Sequence, residues 1–302
     1  MIHQPPFLKK GATIGITCPA GYMPREKAAA CIQTLQHWGF QVMVGHTVGS
    51  ASGNYFSGTD KERLEELQAM LDSPDIHAIL FGRGGYGTSR IIDQLRFTQF
   101  RRHPKWLIGY SDITLLHCHI HRRFAIATLH APMAAAFNDK AGAPYVQTML
   151  DAISGRKPLL SCKAHALNRK GTAKGQLVGG NLALLAHSIG TPSQLVTKGK
   201  ILFLEDIGEY IYSIDRMLQQ LRRSGMLSGL AGLVWGGFTD TKDTERPFGQ
   251  TIDELLSELV KEEDYPVAFH FPVGHTPQNY ALKVGVQYQL RVQQNGVSLR
   301  EC

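Results

Sequence analysis

The chain has 302 residues, 43% hydrophobic and 19% charged, which excludes disordered and fibrous classes and allows a sizeable core in one large or two ordinary domains. The net charge of +7 comes from scattered pairs (Arg101–Arg102, Arg122–Arg123, Arg222–Arg223) without a long basic tract, so small acidic substrates explain it as well as nucleic acid, which is not expected as a partner. No apolar run reaches a membrane span, and the stretch after Lys9–Lys10 is too short for a signal sequence, so a soluble, cytoplasmic protein with no membrane partner is expected.

In chain order, residues 12–17, 41–44, 76–81, 105–110 and 125–129 are short apolar runs of strand type, most of them separated by helical patterns. The clearest helix is TDKERLEELQAML: Thr59 can cap it, Glu62 is the capping-box partner, and Leu64, Leu67 and Leu71 recur on one face. Strands alternating with helices predict a parallel, doubly wound α/β domain over residues 1–154. Residues 155–175 are rich in Gly, Pro, Lys and Ser and read as a linker. A second, smaller α/β domain follows over 176–302. It has strand runs at 200–204, 231–235 and 286–292, helical stretches near 180–188, 213–223 and 251–261, and a hairpin signal at Gln294–Asn295–Gly296. Five cysteines, Cys18, Cys31, Cys118, Cys162 and Cys302, are odd in number and lack CxxC spacing, so reduced thiols are expected.

Several stretches carry chemistry. GRGGYG at 82–87 lies between a strand and a helix, where backbone N–H groups can face a ligand at the carboxyl end of a parallel sheet. Arg83 favours an anion there, and a plain tight turn is the alternative. The turn G-Y-S-D-I at 109–113 presents Ser111 either as a helix cap or as a nucleophile; it keeps the first glycine of the hydrolase elbow and lacks the second. His117, Cys118, His119 and His121 cluster on the helix that follows. They lack an HExxH glutamate and an evident third ligand, so they read as amphipathic helix surface, not as a metal site. Downstream, KILFLEDIGE ends a strand in Glu205–Asp206 with Glu209 close behind, and FHFPVGHTPQN holds His270 and His275.

Together, GRGGYGTSRIIDQL, LIGYSDITLLH, GQLVGGNLALLAHSIGTP, LFLEDIGEYIYSIDRMLQQL and FPVGHTPQNYALKVG resemble, in order and spacing, the LD-carboxypeptidase family of serine peptidases, over nearly the whole chain. The resemblance implies an active site at the interface of the two domains with a triad of Ser111, Glu205 and His275. It further implies an oxyanion hole from the backbone of Asp112 and Gly85, with Arg83 and Gly84 near the substrate. Asp206, Glu209 and His270 are the neighbouring residues of the same types. No metal or organic cofactor is implied. The expected substrate is a murein tetrapeptide that loses its terminal D-alanine from an L-centre during peptidoglycan recycling, and a homodimer is expected. An immunity-type peptidase of the same family, cleaving a peptidyl-nucleotide antibiotic, and a non-catalytic α/β module binding an anionic ligand are the alternatives.

Overall fold

The computed structural model describes residues 2–302, whose strands form two sheets. The first is built from β1 (Thr13–Thr17), β2 (Gln41–Val44), β3 (Ala78–Phe81), β4 (Trp106–Gly109) and β5 (Thr128–His130), all parallel, in the order β2-β1-β3-β4-β5. Every residue of β3, β4 and β5 is buried, because helices cover both faces. Helices Asp60–Asp72 and Thr114–Phe124 share one core layer, and Ala29–His37 and Ala143–Ile153 pack into the other. Thr59 starts the first of these as expected: its Oγ1 accepts from Glu62 N–H at 3.2 Å, and Glu62 Oε2 accepts from Thr59 N–H at 2.7 Å. The strand order reverses direction between β1 and β3, so the loops after β1 and β3 open at the crevice where such sheets bind ligands, and the loop after β4 lies beside them.

The second sheet takes β6 (Leu160–Cys162), β7 (Gly171–Asn181), β8 (Ile201–Ile207), β9 (Gly232–Thr239) and β10 (Val267–Ala268). After β11 (Leu282–Val284), it also takes the hairpin β12 (Gln287–Gln293) and β13 (Gly296–Glu301), which turns on Gln294–Asn295. Its order is β10-β9-β8-β7-β12-β13-β6, parallel from β7 to β10 and antiparallel from β7 outward to β6. The amphipathic helices Ile211–Arg223 and Ile252–Leu259 bury their apolar stripes in this half.

Two features differ from the sequence reading. The stretch 155–175 holds β6 and the first residues of β7. Here Ala173, Gly175 and Leu177 point inward and Thr172 and Lys174 outward, but the alternation is hidden because one inward place is glycine, where a Cβ would lie 3.0 Å from Gly199 O. Second, β11 leaves its neighbours in sequence and pairs antiparallel with the edge of the first sheet, Lys283 opposite Leu129 in β5.

Lys283 fastens this crossing. Its Nζ donates to Glu301 Oε2 on β13 at 2.8 Å, both side chains are almost fully buried, and the ammonium lies 5.0 Å from the Phe7 ring centroid. A buried pair of this kind is costly to break because the remaining carboxylate loses its buried partner and keeps only the half-exposed Lys157, 3.4 Å from its other oxygen. Lys283→Met is therefore expected to destabilise the fold by about 3–5 kcal/mol in urea unfolding. The double change with Glu301→Leu should recover most of that loss; a double variant as unstable as the single one would show that packing, not charge, is at stake.

Candidate active site

The turn after β4 is tight. Ser111 sits there with φ 63, a left-handed backbone that residues other than glycine adopt at a cost, and a 3-10 turn over Ser111–Ile113 leads into the helix Thr114–Phe124. Ser111 caps neither helical start, so its hydroxyl is not spent on the local backbone. The GRGGYG loop lies directly against it: a Cβ on Gly84 would fall 2.7 Å from Ser111 Cβ and 2.8 Å from its Oγ, so only glycine allows this approach. The N–H groups of Gly84 and Gly85 donate to no partner among the described residues. Asp112 locks the two loops together, its buried carboxylate accepting from Thr88 N–H at 2.8 Å. Burial pushes the Asp112 carboxyl above its ordinary value, against the lowering effect of the Thr88 bonds and the Arg63 charge.

β8 delivers a buried carboxylate. Glu205 is fully buried, and its Oε2 accepts from His275 Nδ1 at 2.6 Å and from His275 N–H at 3.2 Å. The carboxylate only accepts, so Nδ1 carries the proton and Nε2 is left as the free ring nitrogen. Gly274 makes room for this pair, since a Cβ there would lie 2.5 Å from Glu205 Cβ. Asn279 holds the loop from behind: its Oδ1 accepts from Gly274 N–H at 3.0 Å. The Tyr110 ring lies 4.8 Å from the His275 ring, fixing its other side. Burial is the largest single influence on His275 and lowers its pKa, but the charge and hydrogen bond of Glu205 and the charge of Asp206 together leave it above the ordinary 6.5.

A cavity of about 400 Å³ gathers these groups, lined by Arg83, Gly84, Gly85, Tyr110, Ser111 and His275, with Asp206 and Glu209 on the opposite strand end. Among the described residues no hydrogen bond joins Ser111 to His275; the two share the cavity. Arg83 donates to Tyr22 O at 2.8 Å and is exposed. Asp206 is already saturated by Asn181 Nδ2, Ala183 N–H and Ile207 N–H, and burial pushes its carboxyl up to about 6. His270 lies elsewhere, bonded to Asp253 at 2.9 Å. Sequence reasoning missed Tyr110 and Asn279 as supports of His275, although both stand inside the motifs that raised the site.

A sequence model of the LD-carboxypeptidase N-terminal domain matches residues 14–131, and one of the LD-carboxypeptidase C-terminal domain matches residues 174–290. The chain belongs to the LD-carboxypeptidase family. A probable murein peptide carboxypeptidase of Bacillus subtilis is 34% identical over 291 residues, covering 94% of this chain and 90% of that protein. The crystal structure of muramoyltetrapeptide carboxypeptidase from Oxalobacter formigenes superposes with a TM-score of 0.87 at 28% identity, covering 96% of this chain and 98% of that one. The microcin C7 self-immunity protein MccF of Escherichia coli is 25% identical over 342 aligned positions, covering 100% of this chain and 98% of that protein.

In this LD-carboxypeptidase the histidine cluster is not helix surface. His117, His119 and His121 are all buried, because the second half of the chain packs onto the helix that carries them. They diverge to separate partners: His117 Nε2 to Gly109 O at 2.8 Å, His119 Nδ1 to Ser193 Oγ at 3.0 Å, and His121 Nε2 to Lys200 Nζ at 3.2 Å. His117 thus holds the end of β4 just before Ser111. Burial drops its pKa to about 4, only partly offset by the Gly109 bond. The unfolded chain binds a proton on it near 6.5 and the folded chain does not until about 4, so stability falls as pH is lowered through that window. His117→Gln keeps a donor for Gly109 and does not titrate. It should flatten the slope of unfolding free energy against pH between 6.5 and 4 by about one proton; an unchanged slope in denaturant titrations would count against a neutral, buried His117.

Proposed function

We propose that this LD-carboxypeptidase hydrolyses the amide between an L-centre and the terminal D-alanine of murein tetrapeptides, with Ser111 as nucleophile, His275 as base and Glu205 as the acid that orients it. The observation that carries the reading is the 2.6 Å bond between His275 Nδ1 and a fully buried Glu205, opening onto the cavity that holds Ser111 on a strained turn. A module that merely binds an anion has no use for such a pair.

His275 Nε2 takes the Ser111 proton as Oγ attacks the carbonyl carbon, and the imidazolium that forms is stabilised by Glu205. The amide of Asp112, next in sequence to Ser111, and that of Gly85, which lines the same cavity, are assigned to the oxyanion. Collapse of the tetrahedral species breaks the C–N bond, with His275 returning its proton to the leaving D-alanine nitrogen. Water, deprotonated by the same base, then releases the acyl group. Arg83 is the one Lys or Arg side chain lining the cavity among the described residues, and it is assigned to the terminal carboxylate that a carboxypeptidase must read. The reading includes a cytoplasmic homodimer acting in peptidoglycan recycling.

Steady-state kinetics on a murein tetrapeptide, with tripeptide and D-alanine as products, test the assignment. Ser111→Ala and His275→Ala should each cost roughly 10⁴-fold or more in turnover, the pair together little more than either alone. Glu205→Gln should cost about 10³–10⁴-fold, whereas Asp206→Asn should act on stability and leave most of the rate per folded molecule. A His275→Ala enzyme with near-normal turnover would overturn the mechanism.

The pH dependence is a separate test. Because the base must be neutral and its pKa lies above 6.5, the rate should rise with pH through that raised value. In Glu205→Gln the stabilising charge is gone, so the residual activity should show its acid limb at lower pH than the wild type. A limb that does not move would mean another group is titrating.

A further inference from the structure

Outside the cavity, His165, Asp253 and His270 meet at the surface. They come from three separate stretches: the loop between β6 and β7, the first turn of the helix Ile252–Leu259, and the loop after β10. His270 Nε2 lies 2.9 Å and His165 Nε2 3.8 Å from the same oxygen, Asp253 Oδ2, and one ligand atom from each residue falls within 4.8 Å of the others. A tetrahedral Zn²⁺ with bonds of about 2.0–2.2 Å to nitrogen and oxygen holds its ligands roughly 3.3 Å apart. Small side-chain rotations therefore convert the present spacing into a coordination shell.

The surroundings hold the three groups in place. Phe269 N–H donates to Asn168 Oδ1 at 2.8 Å, which ties the His165 loop to the His270 loop. The His165 ring stacks on Phe269 and stands edge-on to His270, with centroids 5.8 Å and 4.7 Å away. His270 itself keeps φ 54, a backbone that a non-glycine residue holds only when its surroundings over-determine it. His165 Nδ1 now accepts a long bond of 3.4 Å from Leu167 N–H. Giving the Nε2 lone pair to a metal moves the ring proton to Nδ1 and releases that contact, with no net change in charge.

We propose that His165, Asp253 and His270 form a binding site for a late first-row divalent cation of the zinc type, with water completing the coordination. Two imidazoles and one carboxylate suit Zn²⁺ and its neighbours and do not suit Mg²⁺ or Ca²⁺, which take oxygen shells. A bound ion would clamp the outer helix of the second sheet to the segment that runs from β10 to His275, five residues beyond His270. It has no part in bond cleavage, so it stands or falls separately from the peptidase reading.

The test is Zn²⁺ titration of the full chain, freed of metal by chelator and dialysis, in competition with a chromophoric chelator. The wild type should take up one Zn²⁺ per chain at micromolar concentration and gain thermal stability from it. His165→Ala and His270→Asn, the latter keeping a residue that tolerates the left-handed backbone, should each weaken binding about ten-fold or more and lose the stabilisation, with tetrapeptide hydrolysis unchanged. No uptake by the wild type, or equal affinity in either variant, overturns the three-ligand site.

Discussion

The carboxylate of Glu205 has no exposure to solvent, and a charge in that position is tolerated only if something nearby answers it. The answer is His275, and the arrangement around the pair follows from that need. The chain passes so close at residue 274 that only glycine fits, Asn279 holds the same loop from behind, and Tyr110 closes the other side of the ring. Asp206, next in sequence, is a buried carboxyl as well, but three donors satisfy it and it binds the start of the helix Leu182–His187 to the strand end. Adjacent acids on one strand thus take opposite parts: one is left with a titratable partner, the other is absorbed into the backbone.

The Ser111 side of the cavity is organised by a second buried carboxylate. Asp112 reaches from the Ser111 turn to Thr88 N–H, so the glycine loop after β3 and the serine turn after β4 are held as one surface. Strain at Ser111 survives because the loop of Gly84 presses on one side and the His117 bond to Gly109 holds the strand end on the other. The two halves of the site come from different sheets, and the helix Thr114–Phe124 is the wall between them. Its histidines are the polar contacts of that wall.

Much of this was legible in the sequence. The strands β3, β4 and β5 of the first sheet are buried on both faces and read as plain apolar runs, and the Thr59–Glu62 box marks its helix without any tertiary information. The motifs that hold Ser111, Glu205 and His275 are local in sequence, and the structure brings Ser111 and His275 to one cavity, with His275 bonded to Glu205. What the sequence hid was long-range. β7 escaped because a glycine fills an inward position against Gly199 O, β11 because its partner lies about 150 residues earlier, and the burial of His117, His119 and His121 because it depends on the other half of the chain packing on a polar helix. His165, Asp253 and His270 are spread over about 100 residues and show no spacing at all.

The return of β11 to the edge of β5 also orders events in time. During synthesis the first sheet emerges with β5 as its outer strand, and that edge has no neighbour until residue 284 has been made. For the intervening stretch of translation the nascent domain carries an open row of backbone donors and acceptors, the feature by which partly folded chains adhere to one another. Sealing of that edge is thus coupled to arrival of the segment that has just brought His275 into place. A chain with a complete first sheet has, by the same step, placed His275 against Glu205.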